Sequence, residues 1–216
     1  YRDSRTGSLV ALAGRVALDE ADWETASKEP GEGGLACKAI YYQFLKHGVK
    51  SLTELNGNFA VALYDAPARQ LHLVTDRCGM LPLFRTTDSD SRPVLATHPD
   101  LLARVTDCGS ELDLTSMSEF LCTGRVSFPN TYYEKIKAVD LGTVLTLELN
   151  SGRKSELKYF PIEYQCEGID EWHLAEQLAE AFKAAVRRRT HPRLGTAAVS
   201  LSGGLDSRMI LCAAPA

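Results

Sequence analysis

The sequence predicts two units of different class: an α+β or layered β domain up to about residue 160, then the first unit of a parallel α/β domain. Three observations predict this. Short alternating runs joined by turn residues recur through the first three quarters of the chain. Helical spacing then takes over in one long segment. Finally, a continuous apolar run leads into a glycine-rich loop and a new helical pattern.

Residues 7–18, GSLVALAGRVAL, read as a buried strand of aliphatic and β-branched residues bounded by glycine. EPGEGG (29–34) is a turn. In 35–48, Leu35, Ala39, Tyr42 and Leu45 stand at helical spacing, and Gly48 is a natural C-terminal stop. GNFAVALYD (57–65) and RQLHLVTDR (69–77) alternate on either side of APA and predict an antiparallel hairpin. LPLFRTT (81–87) and RPVLATH (92–98) flank the polar turn DSDS as two more strands. Residues 98–105 predict a short helix. So do 113–124, with Asp113 as N-cap and Gly124 as the stop. TVLTLELN (143–150) alternates strictly and turns at Asn150, Ser151 and Gly152 into KSELKYF, another hairpin. Residues 167–189 predict a long helix with an apolar stripe of Leu174, Leu178, Phe182 and Ala185. Arg187 to Arg189 crowd its C-terminal end, where positive charge suits the helix dipole. After the breaker THPRLG, TAAVSL (196–201) reads as a strand, and SRMILCAA (207–214) starts a helix.

With 216 residues the chain holds one large domain, or one domain and part of a second. Hydrophobic residues make up 44% and charged residues 24%, a balance that supports a real core. A net charge of −4 gives no electrostatic case for nucleic acid. Six cysteines, at 37, 78, 108, 122, 166 and 212, form no C-x-x-C and pair with no histidine at metal-ligand spacing. They read as reduced thiols of a cytoplasmic protein. No apolar run reaches transmembrane length, and YRDSRTGSLV is no signal peptide. Without an initiator Met, both ends read as cut ends. The histidines at 47, 72, 98, 173 and 191 are scattered and read as surface or half-buried side chains.

VSLSGGLDSR (199–208) carries the chemistry. A strand, a Gly-rich turn and a helix start form an anion site, because freed N–H groups point inward beside the positive helix end. Gly203 and Gly204 allow close backbone approach. Ser202 and Ser207 donate hydroxyl hydrogen bonds. Asp206 beside a phosphate calls for a divalent cation between them. There is no G-K-[ST] and no G-x-G-x-x-G, so the loop is neither a Walker A loop nor a dinucleotide turn. A lone S-G-G would be a plain connecting turn. The six-residue string S-G-G-L-D-S in this setting is much more specific.

SLSGGLDS (200–207) resembles the pyrophosphate loop of the ATP-pyrophosphatase superfamily, in the form with Leu205 that the asparagine synthetase branch uses. LTELNGNFAVALYD (52–65), DRCGMLPLF (76–84) and residues 118–147 are similar to that family's class II glutamine amidotransferase domain, in the same order. The resemblance implies an α+β amidotransferase-like domain over 1–165 and the start of an α/β ATP-pyrophosphatase domain over 166–216. It implies ATP and Mg2+ as cofactors, bound by Ser202, Gly203, Gly204, Leu205, Asp206 and Ser207, with Asp206 on the metal. The implied reaction adenylates a small-molecule carboxylate, releases pyrophosphate, and joins the acyl group to ammonia or an amine. Arg208 replaces a more usual Ser and is reminiscent of β-lactam synthetases and lasso-peptide cyclases, which close amides intramolecularly.

The front half departs from the family. Its glutaminases begin with a nucleophilic Cys that uses its own α-amino group; this chain begins with Tyr1, and Cys37 falls inside a predicted helix. Ala13 stands where the family has the oxyanion-hole Asn, beside Gly14, and GEGG (31–34) replaces a glutamine-gripping S-D-T-E. The expectation is a kept amidotransferase fold without glutaminase activity, and therefore no catalytic residue in this half. Asp76, Arg77 and Gly79 read as a structural turn. The competing class is a non-catalytic scaffold. A homodimer is left open, neither nucleic acid nor membrane is expected as a partner, and the 216 residues by themselves are expected not to turn over ATP.

Overall fold

In the computed structural model, which describes residues 1–161, 163, 168 and 170–214, the chain divides into two compact units. The first comprises Tyr1–Val16 and Ala21–Pro161; the second comprises Ala17–Glu20 and Ile162–Ala216. Residues 165 and 166, where the sequence places the domain boundary, lie outside the described residues.

The first unit contains strands β1 (Leu9–Val16), β2 (Gly57–Asp65), β3 (Gln70–Thr75), β4 (Phe84–Thr87), β5 (Pro93–Ala96), β6 (Lys137–Ala138), β7 (Thr143–Glu148) and β8 (Lys154–Lys158). Its helices are α1 (Glu20–Lys28, whose first residue belongs to the second unit), α2 (Leu35–His47), α3 (Val49–Thr53), α4 (Pro99–Val105) and α5 (Leu114–Thr123). The strands form a five-stranded antiparallel sheet of order β1-β2-β3-β7-β8 and a three-stranded one of order β5-β4-β6. Every hairpin expected from alternation is present, with Leu63 opposite His72 in the first and Leu147 opposite Lys154 in the last. Asp113 caps α5 by accepting the Ser116 N–H at 3.0 Å, and Gly124 closes it in the left-handed conformation. Helix α1 was not expected, because only Trp23 and Ala26 of its nine residues are buried, too sparse a stripe to read as periodic.

The pleat explains the layering. On one face of the large sheet, Ala60, Leu73 and Leu145 pack against Leu83 and Val139 of the segments that build the small sheet. The opposite face carries Val61, Leu63, His72 and Val74, and the Phe44 ring of α2 lies 5.2 Å from the His72 ring. The outer face of the small sheet is covered by Leu102 of α4 with Cys108 and Ile136. The result is an α+β unit in layers: helices, large sheet, small sheet, helix. His72 is 1% exposed, not a surface or half-buried residue as expected, because helices cover the face on which alternation places it.

The second unit holds α6 (Glu171–Arg189) and α7 (Leu205–Ala213), with a single turn of 3₁₀ helix at Pro192–Leu194. Asp170 caps α6, and Arg187–Arg189 form its last turn as expected. Glu20 meets His191 and Arg193, and Asp19 meets Arg188. TAAVSL is not a strand. Residues 196–201 are irregular and almost wholly exposed. A parallel strand exists only when a neighbour completes its hydrogen bonds, and this unit has no strand among the described residues to do so.

The described cysteines at 37, 78, 108, 122 and 212 are free thiols; Cys166 lies outside the described residues. Among the described residues no helix is long and apolar enough to cross a membrane.

Candidate functional site

The residues of S-G-G-L-D-S come together at the start of α7. The Ser202 and Ser207 hydroxyls lie 3.2 Å apart, and Ser207 Oγ also accepts the Ser202 N–H at 3.2 Å. The Gly204 N–H donates to Ser202 Oγ at 3.3 Å. The two serines therefore close the loop upon itself. Gly204 is the N-cap of α7 and has no side chain to cap the first turn, so the helix's leading N–H groups remain available to an anion. Neither Gly203 nor Gly204 has a positive φ, and a Cβ on Gly203 would meet nothing within 4 Å. Backbone geometry does not require glycine here, and the space a Cβ would take at Gly203 is open. Arg208 turns back on the loop, its Nε donating to the Gly204 carbonyl at 3.1 Å and its Nη2 to that of Gly203 at 3.4 Å. Asp206 lies exposed in the first turn of α7.

No group of three or more His, Cys, Asp or Glu among the described residues is placed to hold a metal. Asp206 is one carboxylate in the open. That donor set fits Mg2+ only when phosphate oxygens of a bound nucleotide complete the shell, which is how magnesium usually sits.

In the first unit the turn after β3 is a packed structural device. Asp76 is 1% exposed and accepts the N–H groups of Phe59 (3.3 Å), Cys78 (3.0 Å), Met80 (3.1 Å) and Leu81 (3.0 Å). Arg77 lies over the Phe160 ring, 5.4 Å from its centre. The expectation of a hydrogen-bonded Asp in a structural turn is met. Gly14 faces this turn from β1. Its φ is +85°, and a Cβ would come within 2.2 Å of the Asn58 carbonyl oxygen and 3.1 Å of Leu81. Ala13 beside it brings no side-chain donor.

The segment 31–34 is a seat for Tyr1. Gly31 and Gly33 have φ of +109° and +126°, and Cβ atoms there would strike the Tyr1 ring at 2.6 Å and its Cα at 2.8 Å. The Tyr1 ring packs 5.3 Å from Tyr41 and 6.3 Å from Tyr42. Asp3 next to it, only 4% exposed, was overlooked in the sequence. It accepts the Tyr41 hydroxyl at 2.8 Å and the Arg5 N–H at 3.0 Å, and Thr6 Oγ1 donates to it at 3.1 Å. The Arg5 N–H first, and then the Tyr41 hydroxyl, hold its carboxyl below the usual range. The signal was the turn-rich D-S-R-T-G that follows Tyr1 and Arg2.

A family model described as a glutamine amidotransferase domain matches residues 36–160, which excludes the loop at 202–207. A putative glutamine-hydrolysing asparagine synthetase of Mycobacterium tuberculosis is 24% identical over 178 residues, covering 80% of this chain and 27% of that protein. Asparagine synthetase 3 of Bacillus subtilis is 26% identical over 181 residues, covering 80% and 28%. The amidase chry2 of Gibberella zeae is 25% identical over 181 residues, covering 82% and 26%. Among solved structures, the glutamine phosphoribosylpyrophosphate amidotransferase of B. subtilis overlaps 74% of this chain and 30% of its own, at 13% identity and a TM-score of 0.45. The chain spans about a quarter of the length of the curated relatives it matches.

Proposed function

Because the chain belongs to the glutamine amidotransferase domain family, we propose that it is part of an asparagine synthetase-like ligase that joins a carboxylate to ammonia or an amine with ATP. The observation that carries this reading is the S-G-G-L-D-S string at the uncapped start of α7. The names of the relatives point the same way.

Bound ATP with Mg2+ would supply an activated phosphoryl centre whose leaving group is pyrophosphate. The chain's own contribution is to hold the charge that develops there. N–H groups at the start of α7 and the Ser202 and Ser207 hydroxyls would donate to pyrophosphate oxygens, and Asp206 would anchor the metal against them. Arg208 bonds to loop carbonyls and so shapes the loop rather than selecting the acyl group. Intramolecular amide closure, as in β-lactam synthetases, therefore remains a second form of the same chemistry.

Glutamine hydrolysis is absent from this reading. Ala13 offers no oxyanion side-chain donor, and the seat of glycines at 31 and 33 is filled by Tyr1, its ring at Gly31 and its backbone at Gly33. A non-catalytic amidotransferase-fold scaffold is the competing class. ATP–pyrophosphate exchange by the full-length protein with a panel of carboxylates separates them. Exchange is expected, and Asp206→Ala is expected to lower it by about 100-fold or more. No exchange with Asp206 intact sinks the ligase reading, and robust glutamate release from glutamine sinks the loss of glutaminase activity.

A further inference from the structure

The small sheet carries cations on its inward side. Along β4, Phe84 packs with the α4 cluster and Thr86 is buried, bonding Cys108 and the Lys135 carbonyl, so both face outward. By alternation Arg85 faces the large sheet. Its register partners are Leu95 on β5 and Lys137 on β6. Leu95 packs with Leu147 against the inter-sheet core, so this row faces the layer between the sheets. Arg85 and Lys137 thus stand directly opposite each other on neighbouring strands, an arrangement of like charges that destabilises a sheet unless something compensates it.

Among the described residues this charge is compensated only in part. Arg85 Nε is out of solvent with no hydrogen-bond partner, and Arg85 forms no ion pair among the described residues. Lys137 is half-buried; its ammonium donates to the neutral Asn130 side chain at 3.0 Å and forms no ion pair within 4 Å, although the Asp113 carboxylate feels its charge. Nearby Arg92 and Lys135 differ, because Asp88, Asp90 and Glu111 already neutralise them. Arg85 and Lys137 line a cavity of about 510 Å³, closed on its other side by the β7–β8 hairpin with Leu147 and Lys154. Glu148 is the single carboxylate on the lining. Arg85 is half-buried, and its Nε, held out of solvent without an acceptor, carries a cost that a bound dianion would relieve with charge-assisted bonds.

We propose that this cavity binds a small phosphate monoester, its phosphate held by Arg85, Lys137 and Lys154 and its body lying on Leu95 and Leu147. The lone Glu148 disfavours an extended polyanion. The site is separate from the loop at 202–207 and does not depend on the ligase reading.

Calorimetric titration of the full chain at pH 8 with phenyl phosphate tests it, with benzoate and phenol as comparisons. Phenyl phosphate is expected to bind and to raise the melting temperature, and benzoate and phenol to bind at least tenfold more weakly. Arg85→Gln and Lys137→Gln are each expected to weaken phenyl phosphate by about tenfold or more, the loss of one charged hydrogen bond. Lys154→Gln, on an exposed strand, gives the same direction without risk to the core. Asp206→Asn is expected to leave binding unchanged. No binding, equal binding of benzoate, retention in all three cavity variants, or loss in Asp206→Asn would each overturn the proposal.

Discussion

Asp76 shows how one side chain can hold a whole turn. Its two oxygens accept four backbone N–H groups from β2 and from the turn after β3. Asp76→Ala would leave the buried Phe59 N–H and three part-buried N–H groups without their acceptor. It is expected to lower unfolding free energy by about 3 kcal/mol or more in urea titrations, and a loss below about 1 kcal/mol would contradict that role. His72 makes a second case. Its Nδ1 meets Thr146 Oγ1 at 2.9 Å, while Nε2 is buried without a hydrogen-bond partner. Burial pushes its pKa below the ordinary value, outweighing the opposing pull of Asp65. The unfolded chain therefore takes up the proton first. The stability is fully present above about pH 6.5 and falls as the pH drops below it, by at most about 1.4 kcal/mol per unit for one group. His72→Gln is expected to flatten that slope between pH 7 and 5, read by denaturation at each pH; an unchanged slope would assign the dependence elsewhere. Asp76 was legible because D-R-x-G reads as a turn. His72 was not, because alternation says which face a residue takes and not what covers that face.

At the scale of elements, hairpins and capped helices follow from local rules. Helix α5 lies where Asp113 and Gly124 put it, since a side-chain acceptor and a left-handed residue act within one turn. Gly14 is different. The glycine is visible in the strand, but its need comes from the Asn58 carbonyl of the neighbouring strand. Gly14→Ala combines a backbone that L residues avoid with a 2.2 Å clash. It is expected to destabilise the protein by about 3 kcal/mol; a melting temperature equal to wild type would refute this. TAAVSL failed as a strand for the opposite reason. Its apolar content suits a parallel sheet, but its hydrogen bonds depend wholly on partner strands. The candidate site shared this limit: the loop residues were legible as a string, while the cationic row of Arg85 and Lys137 required the register of β4 with β6.

For the whole molecule, the two units differ in how much they bury. Trp23 in the first is 2% exposed, whereas Trp172 in the second is 82% exposed, with Leu178, Leu201 and Leu205 also open to solvent. The layered first unit carries its own core between sheets and beneath helices. A chain ending at Pro161 is therefore expected to unfold cooperatively in urea, with blue-shifted Trp23 emission lost at one midpoint; a broad, non-cooperative loss would show that the core needs the second unit. The sequence by itself determined the hairpins, the caps of α5 and the S-G-G-L-D-S string, because each rests on periodicity or on residues within a few positions of one another. Only the tertiary structure decided that both faces of the large sheet are covered, that His72 and Asp76 are buried, and that two cations face a half-open cavity between the strands. Those properties belong to strand register and layer stacking, which join residues far apart in the chain.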